Sequence, residues 1–130
     1  MMNADACSGR TLAFLGDAVW SLLVRRYLIE NGQGKGERLQ ALAVSYISAA
    51  AQAEFYRRLH EEGFWTEEEE GWYRRGRNST AGSVPKNTPV QVYRQATGFE
   101  AVIGALDLEQ KRDRLLTVWD KVRTLKEVSS

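Results

Sequence analysis

The stretch Leu12-Ala13-Phe14-Leu15-Gly16-Asp17-Ala18-Val19-Trp20 places one carboxylate inside an apolar helical pattern. At the helical period, Val24 and Leu28 flank Asp17 on its own side, and Leu12, Leu15, Val19, Leu22 and Leu23 cover the other. A helix that is apolar nearly all round is expected to be buried. A buried carboxylate without compensation is costly, so something must answer Asp17. A bound cation and an arginine from another helix both remain open on this pattern.

A second segment repeats the device. Thr97-Gly98-Phe99-Glu100-Ala101-Val102-Ile103-Gly104-Ala105-Leu106 again carries a single acid among apolar residues. Small residues lie beside both acids: Ala13 and Gly16 next to Asp17, and Gly104 one turn after Glu100. Small residues allow two helix axes to approach closely, so Asp17 and Glu100 could share one cation if these helices pack together. Two carboxylates with open positions suit Mg²⁺, which keeps several waters and is commonly completed by substrate phosphates. Mn²⁺ is expected to substitute. Such an ion suits phosphodiester cleavage. The alternative for Glu100 is the closing position of a capping box with Thr97. Asp107, two turns on, either joins such a site or opens the charged turn over residues 107–114.

The 130 residues fit one domain, residues 1–130 with a core over about 11–127, and 43% hydrophobic with 27% charged residues reads as globular. A single cysteine, Cys7, excludes an internal disulfide and a thiolate zinc cage. His60 is the sole histidine, at the polar end of a helical stretch, and reads as a solvated surface residue. No apolar run approaches a membrane helix. Residues 1–8 lack the basic start and apolar core of a signal peptide, so a cytoplasmic chain without membrane contact is expected.

Helical periodicity predicts helices over residues 11–30, 37–44, 47–62, 66–76, 89–108 and 110–127. Ser45 is expected to cap the third, and Thr66 with Glu69 to form a capping box on the fourth. Thr88 and Pro89 read as cap and first position of the fifth, with a break at Gly98. The last uses Leu115, Leu116, Trp119 and Val122. Residues 78–87 read as a mobile loop. Without strand alternation, repeat or linker, the fold is expected to be all-α.

Between residues 71 and 99 the chain carries Arg74, Arg75, Arg77, Lys86 and Arg94 and no acid, whereas Glu61, Glu62, Glu67, Glu68, Glu69 and Glu70 lie just before. This segregation says more than the net charge of +1. With Asn78 and Asn87 the segment offers guanidinium, ammonium and amide donors suited to phosphate. The same cations also complement a solvated helix end. Trp20, Trp65, Trp72, Tyr73 and Trp119 read as core or interface anchors rather than base-stacking platforms.

Together these blocks resemble the Mini-III ribonucleases, compact relatives of ribonuclease III without a double-stranded-RNA-binding domain. Leu12 through Val19 is similar to the signature helix of the ribonuclease III domain, and Gly98 through Ala105 to its second acidic helix. Tyr46-Ile47-Ser48-Ala49 with Ala51-Gln52-Ala53, Arg74-Arg75-Gly76-Arg77-Asn78, Pro85-Lys86-Asn87-Thr88 and Tyr93-Arg94 with Thr97-Gly98-Phe99-Glu100 follow in order across residues 12–108. The resemblance implies an all-α, homodimeric endonuclease that cuts double-stranded RNA with Mg²⁺. The implied substrate is the precursor of large-subunit (23S) ribosomal RNA, with a ribosomal protein or the pre-ribosome as a further partner. By position, Asp17 and Glu100 become the catalytic, metal-binding carboxylates. Arg74, Arg75, Arg77, Asn78, Lys86, Asn87 and Arg94 become the RNA-contacting surface. The expected products carry 5′-phosphate and 3′-hydroxyl ends. Ala13 and Thr97 stand where the wider ribonuclease III pattern has glutamate and aspartate, so fewer acids surround the site. Ala50 replaces a frequent lysine. The competing readings are a non-catalytic RNA-binding or ribosome-associated protein that keeps the fold, and a helical interaction module. Retention of both acids opposes the first, and the acid-free basic segment opposes the second.

Overall fold

Six α-helices and no strand make up the described residues, 2–32, 34–79 and 84–129, of the computed structural model. They are α1 (Gly9–Glu30), α2 (Glu37–Ile47), α3 (Ala49–Glu61), α4 (Glu67–Asn78), α5 (Val90–Leu108) and α6 (Arg112–Ser129), after a single tight turn at Ala4–Ala6. Among these residues no helix is long and apolar enough to cross a membrane.

Local chemistry sets the helix ends. The Ser8 hydroxyl accepts the Thr11 N–H at 3.1 Å, so α1 starts two residues earlier than its periodicity suggested. Ser45 caps nothing: its hydroxyl donates to the Leu42 carbonyl at 2.6 Å inside α2. Ser48 is the cap of α3 instead, accepting from Ala51 at 3.2 Å. The expected box at Thr66 and Glu69 is present in both directions. Pro89, with ψ 141°, is still extended and takes the cap position, so Thr88 does not cap α5. Gln110 closes the turn before α6 with φ 59°, which delays that helix to Arg112. Of the expected loop, Asn78 belongs to α4, and residues 80–83 lie outside the described residues.

Helix α5 is the centre of the fold and packs against α1, α3, α4 and α6. Its residues Gly98, Phe99 and Ala101 through Leu106 are buried. It is unbroken at Gly98, where a Cβ would stand 2.5 Å from the Tyr73 ring. That glycine serves the approach of α4, not a kink. Trp20 anchors the core edge-on against Phe99 (4.9 Å) and Trp119 (5.2 Å). All the expected aromatic anchors are buried. On α6, Val118 and Leu125 join Leu115, Trp119 and Val122 in the core, while Leu116 stays exposed.

Glu69 is buried beside α6, where Arg114 meets it through two 2.8 Å bonds. Burial pushes this carboxyl up, but the guanidinium and the Thr66 bonds prevail and hold it below the usual carboxylate range.

Helix α1 departs from the expectation of burial all round. Its covered stripe is Leu12, Gly16, Trp20, Val24 and Leu28. Phe14, Leu22 and Ile29 are exposed, and so is Asp17. Apolar side chains circle this helix, but neighbouring helices within the chain cover only one side of it.

Candidate active site

Two glycines set the geometry of the site. A Cβ on Gly16 would lie 1.8 Å from the Glu100 carbonyl oxygen, and one on Gly104 would lie 1.9 Å from the Leu12 carbonyl oxygen. Only residues without a side chain allow α1 and α5 to cross this closely. The crossing sets Asp17, the residue after Gly16, beside the Glu100 side chain. Helix α3 adds Gln52, only 2% exposed, whose Nε2 donates to Glu100 Oε2 at 3.3 Å.

The two acids answer each other rather than an arginine. Burial first, then the hydrogen bond and charge of Asp17, push the Glu100 carboxyl up to about 8, with Gln52 opposing the rise. No ion pair engages Asp17 among the described residues. The capping-box alternative for Glu100 does not occur, because Thr97 lies mid-helix and donates to the Tyr93 carbonyl at 3.0 Å. Asp107 lines a separate cleft between α1 and α6 with Arg26 and Arg112.

This donor set fits a small hard cation. Two carboxyl groups this close mark a place where a cation would relieve repulsion. Among the described residues no cluster of three histidine, cysteine or acidic side chains could complete a protein-only shell. Mg²⁺ suits such a place, since it keeps waters and takes substrate phosphates as ligands.

Gln52 is the site residue whose role sequence reasoning missed. The signal was an amide on the apolar face of α3, among Ala53, Phe55, Tyr56 and Leu59. A buried amide needs a partner, and here the partner is an acid.

The basic segment divides in two. Arg74 is exposed and has no acidic partner among the described residues. Arg77 lies 5.8 Å over the Tyr73 ring and donates from Nε to Asn78 Oδ1 at 3.3 Å. Lys86, Asn87 and Arg94 are exposed, Asn87 with φ 72°. Arg75 turns the other way: it donates to the Cys7 carbonyl and lies 3.6 Å from Asp5, fastening the N-terminal turn to α4.

Comparison with known proteins agrees with this architecture. Residues 10–111 match the ribonuclease III domain family. The chain is 44% identical over 115 residues to the Mini-ribonuclease 3 of Streptococcus pneumoniae, covering 88% of this chain and 90% of that protein. It is 43% identical over 115 residues to the Mini-ribonuclease 3 of Enterococcus faecalis, covering 88% and 87%. A solved Fusobacterium nucleatum structure matches with a TM-score of 0.80 at 31% identity, over 88% of this chain and 92% of that one. With family match, relatives of nearly equal length and fold in agreement, the chain belongs to the ribonuclease III domain family, in its Mini-ribonuclease 3 group.

Proposed function

We propose that Asp17 and Glu100 are the catalytic, cation-binding carboxylates with which this endoribonuclease hydrolyses double-stranded RNA. The observation that carries the reading is the pairing of these acids, with Glu100 pushed up to about 8 by burial and by Asp17. Mg²⁺ is the proposed ion, with Mn²⁺ as a substitute. When bound, a divalent cation supplies positive charge against the phosphate and a more acidic water. Asp17, on the exposed side of α1, presents its carboxylate to solvent and substrate. Gln52 restricts Glu100 to one orientation, which reduces the reorganisation needed when Glu100 gives up its proton to take a cation. No histidine enters the scheme. The products are 5′-phosphate and 3′-hydroxyl ends.

Arg74, Arg77, Asn78, Lys86, Asn87 and Arg94 are proposed as backbone contacts, with Arg75, bonded to the Cys7 carbonyl, tying the N-terminal turn to α4 beside them in sequence. Groove shape and 2′-hydroxyls carry the preference for A-form RNA. Binding through these cations falls steeply with salt. The chain acts as one nuclease domain and pairs with a second copy through the outer face of α1. Phe14 supports this pairing: it is 83% exposed, one turn before Asp17. A two-fold pair sets one centre against each strand. The proposed cellular substrate is the large-subunit ribosomal RNA precursor, trimmed in the cytoplasm, with association to ribosomal protein or pre-ribosome.

The test incubates the chain with duplex RNA, single-stranded RNA and duplex DNA, with and without Mg²⁺, and maps the ends. Cleavage is expected for duplex RNA with Mg²⁺ alone. Asp17→Asn and Glu100→Gln should abolish it while fold and RNA binding survive. A parent that never cuts RNA, with both variants unfolded, would assign the acids a purely structural role.

A further inference from the structure

We propose that the cleft between α3, α4 and α5 around His60 and Glu70 is a second phosphate site, whose hold on the RNA backbone is set by protonation of His60. The site rests on the duplex-RNA reading above.

The cleft measures about 350 Å³ and is lined mainly by polar side chains. Its floor is the Tyr56–Tyr73 stack, with ring centroids 3.5 Å apart and planes at 2°. Arg57, Arg74 and Arg77 line it, and Gln95 of α5 adds an amide. Arg57 already pairs with Glu54 and Glu61 along its own helix, and Arg77 leans on Tyr73. Arg74 is the cation left for a ligand among these. Such a set suits a phosphodiester.

A carboxylate stands among these cations. Glu70 accepts the Tyr56 hydroxyl and lies 2.6 Å from His60 Nδ1, which is also 3.3 Å from the Tyr56 oxygen. Burial and the Glu70 bond hold Tyr56 well above the usual phenol range, so it remains a donor. Tyr73 is pushed up to about 12, chiefly by burial. The groups facing His60 are thus Tyr56 and Arg57 from α3 and Glu70, Tyr73, Arg74 and Arg77 from α4, with uncharged Gln95 from α5. Among these groups His60 is the imidazole, whose protonated and neutral forms differ by one positive charge beside Glu70. When protonated, it donates to Glu70 and cancels its charge, so the arginines dominate. When neutral, it leaves the carboxylate opposing any phosphate in the cleft.

Position ties the cleft to the cleavage centre. Tyr56 and His60 follow Gln52 at four-residue steps on α3, and Gln52 is bonded to Glu100. At about 1.5 Å rise per residue, His60 lies about 12 Å along the helix from Gln52, within reach of one duplex.

The test measures binding of a short RNA duplex by fluorescence anisotropy at pH 6 and pH 8. All proteins carry Glu100→Gln, which prevents cleavage and removes the carboxyl pushed up to about 8. The parent is expected to bind about threefold to fivefold tighter at pH 6. Adding His60→Gln should lower pH 6 binding to the pH 8 level. Adding Glu70→Gln should raise pH 8 binding to the pH 6 level. Arg74→Gln should reduce the salt slope by about one. If the parent binds duplex RNA but the His60 variant keeps its pH ratio, or Glu70→Gln leaves pH 8 binding unchanged, the cleft is not a phosphate site. If the parent binds no duplex RNA at either pH, the duplex-RNA reading fails and the cleft falls with it.

Discussion

Gly16 and Gly104 face each other across the α1–α5 crossing, each with its amide nitrogen 2.9 Å from where the other's Cβ would stand. The contact is reciprocal and made of backbone on both sides. It fixes the spacing of the two helices at the level of Asp17 and Glu100, so the pairing of those acids depends on the missing side chains.

Gly16→Ala and Gly104→Ala should therefore separate the helices. The added Cβ atoms would fall 1.8 Å and 1.9 Å from carbonyl oxygens, which have no rotamer through which to yield. A loss of about 3 kcal/mol or more is expected, at the upper end of overpacking effects. Thermal denaturation measures it, and RNA cleavage should fall in the fraction that remains folded. Gly63→Ala is the contrast: its φ of 70° makes it strained, but nothing lies within 4 Å, so cleavage by its folded fraction should be unaffected.

Gln52→Leu should keep the fold and weaken the site. The leucine fills the same space but leaves Glu100 without its amide donor. Partners that orient a metal-binding side chain contribute about 10-fold to 100-fold. The expected result is a loss of that size in cleavage at low Mg²⁺, partly recovered at high Mg²⁺. Equal loss at every Mg²⁺ concentration would argue that Gln52 acts only in packing.

Stability should depend on pH through Glu100. Its folded value of about 8 lies above the ordinary carboxyl value of 4.5, so the folded chain holds a proton that the unfolded chain releases. The resulting stabilisation is complete below pH 4.5 and is lost as pH rises to about 8. Thermal melts in chelator should show that loss in the parent and a flatter profile in Glu100→Gln, with the variant more stable by about 2 kcal/mol at pH 8. Adding Mg²⁺ at pH 8 should raise the melting temperature of the parent alone.

Phe14→Glu should separate the proposed pair of chains. The parent is expected to sediment as a dimer and the variant as a monomer with unchanged helix content, since Phe14 contributes little to the core of one chain. Staggered double-strand cuts should then give way to weak, single-strand nicking. A parent that sediments as a monomer would remove the role assigned to this face.

The helices, their approximate limits and the capping box at Thr66 and Glu69 were legible in the sequence, because they rest on hydrogen bonds between residues three or four apart. The two lone acids were legible for a similar reason: each breaks an apolar pattern within a single turn. Tertiary structure decided what that pattern could not. It chose Ser48 over Ser45 as a cap, turned Arg75 toward Cys7, and gave Glu100 a partner in Gln52. It also left Asp17 exposed on a helix that reads as apolar all round. A helix forms from its own neighbours along the chain, but which of its sides loses contact with water depends on segments distant in sequence, and here on where two glycines let backbones meet.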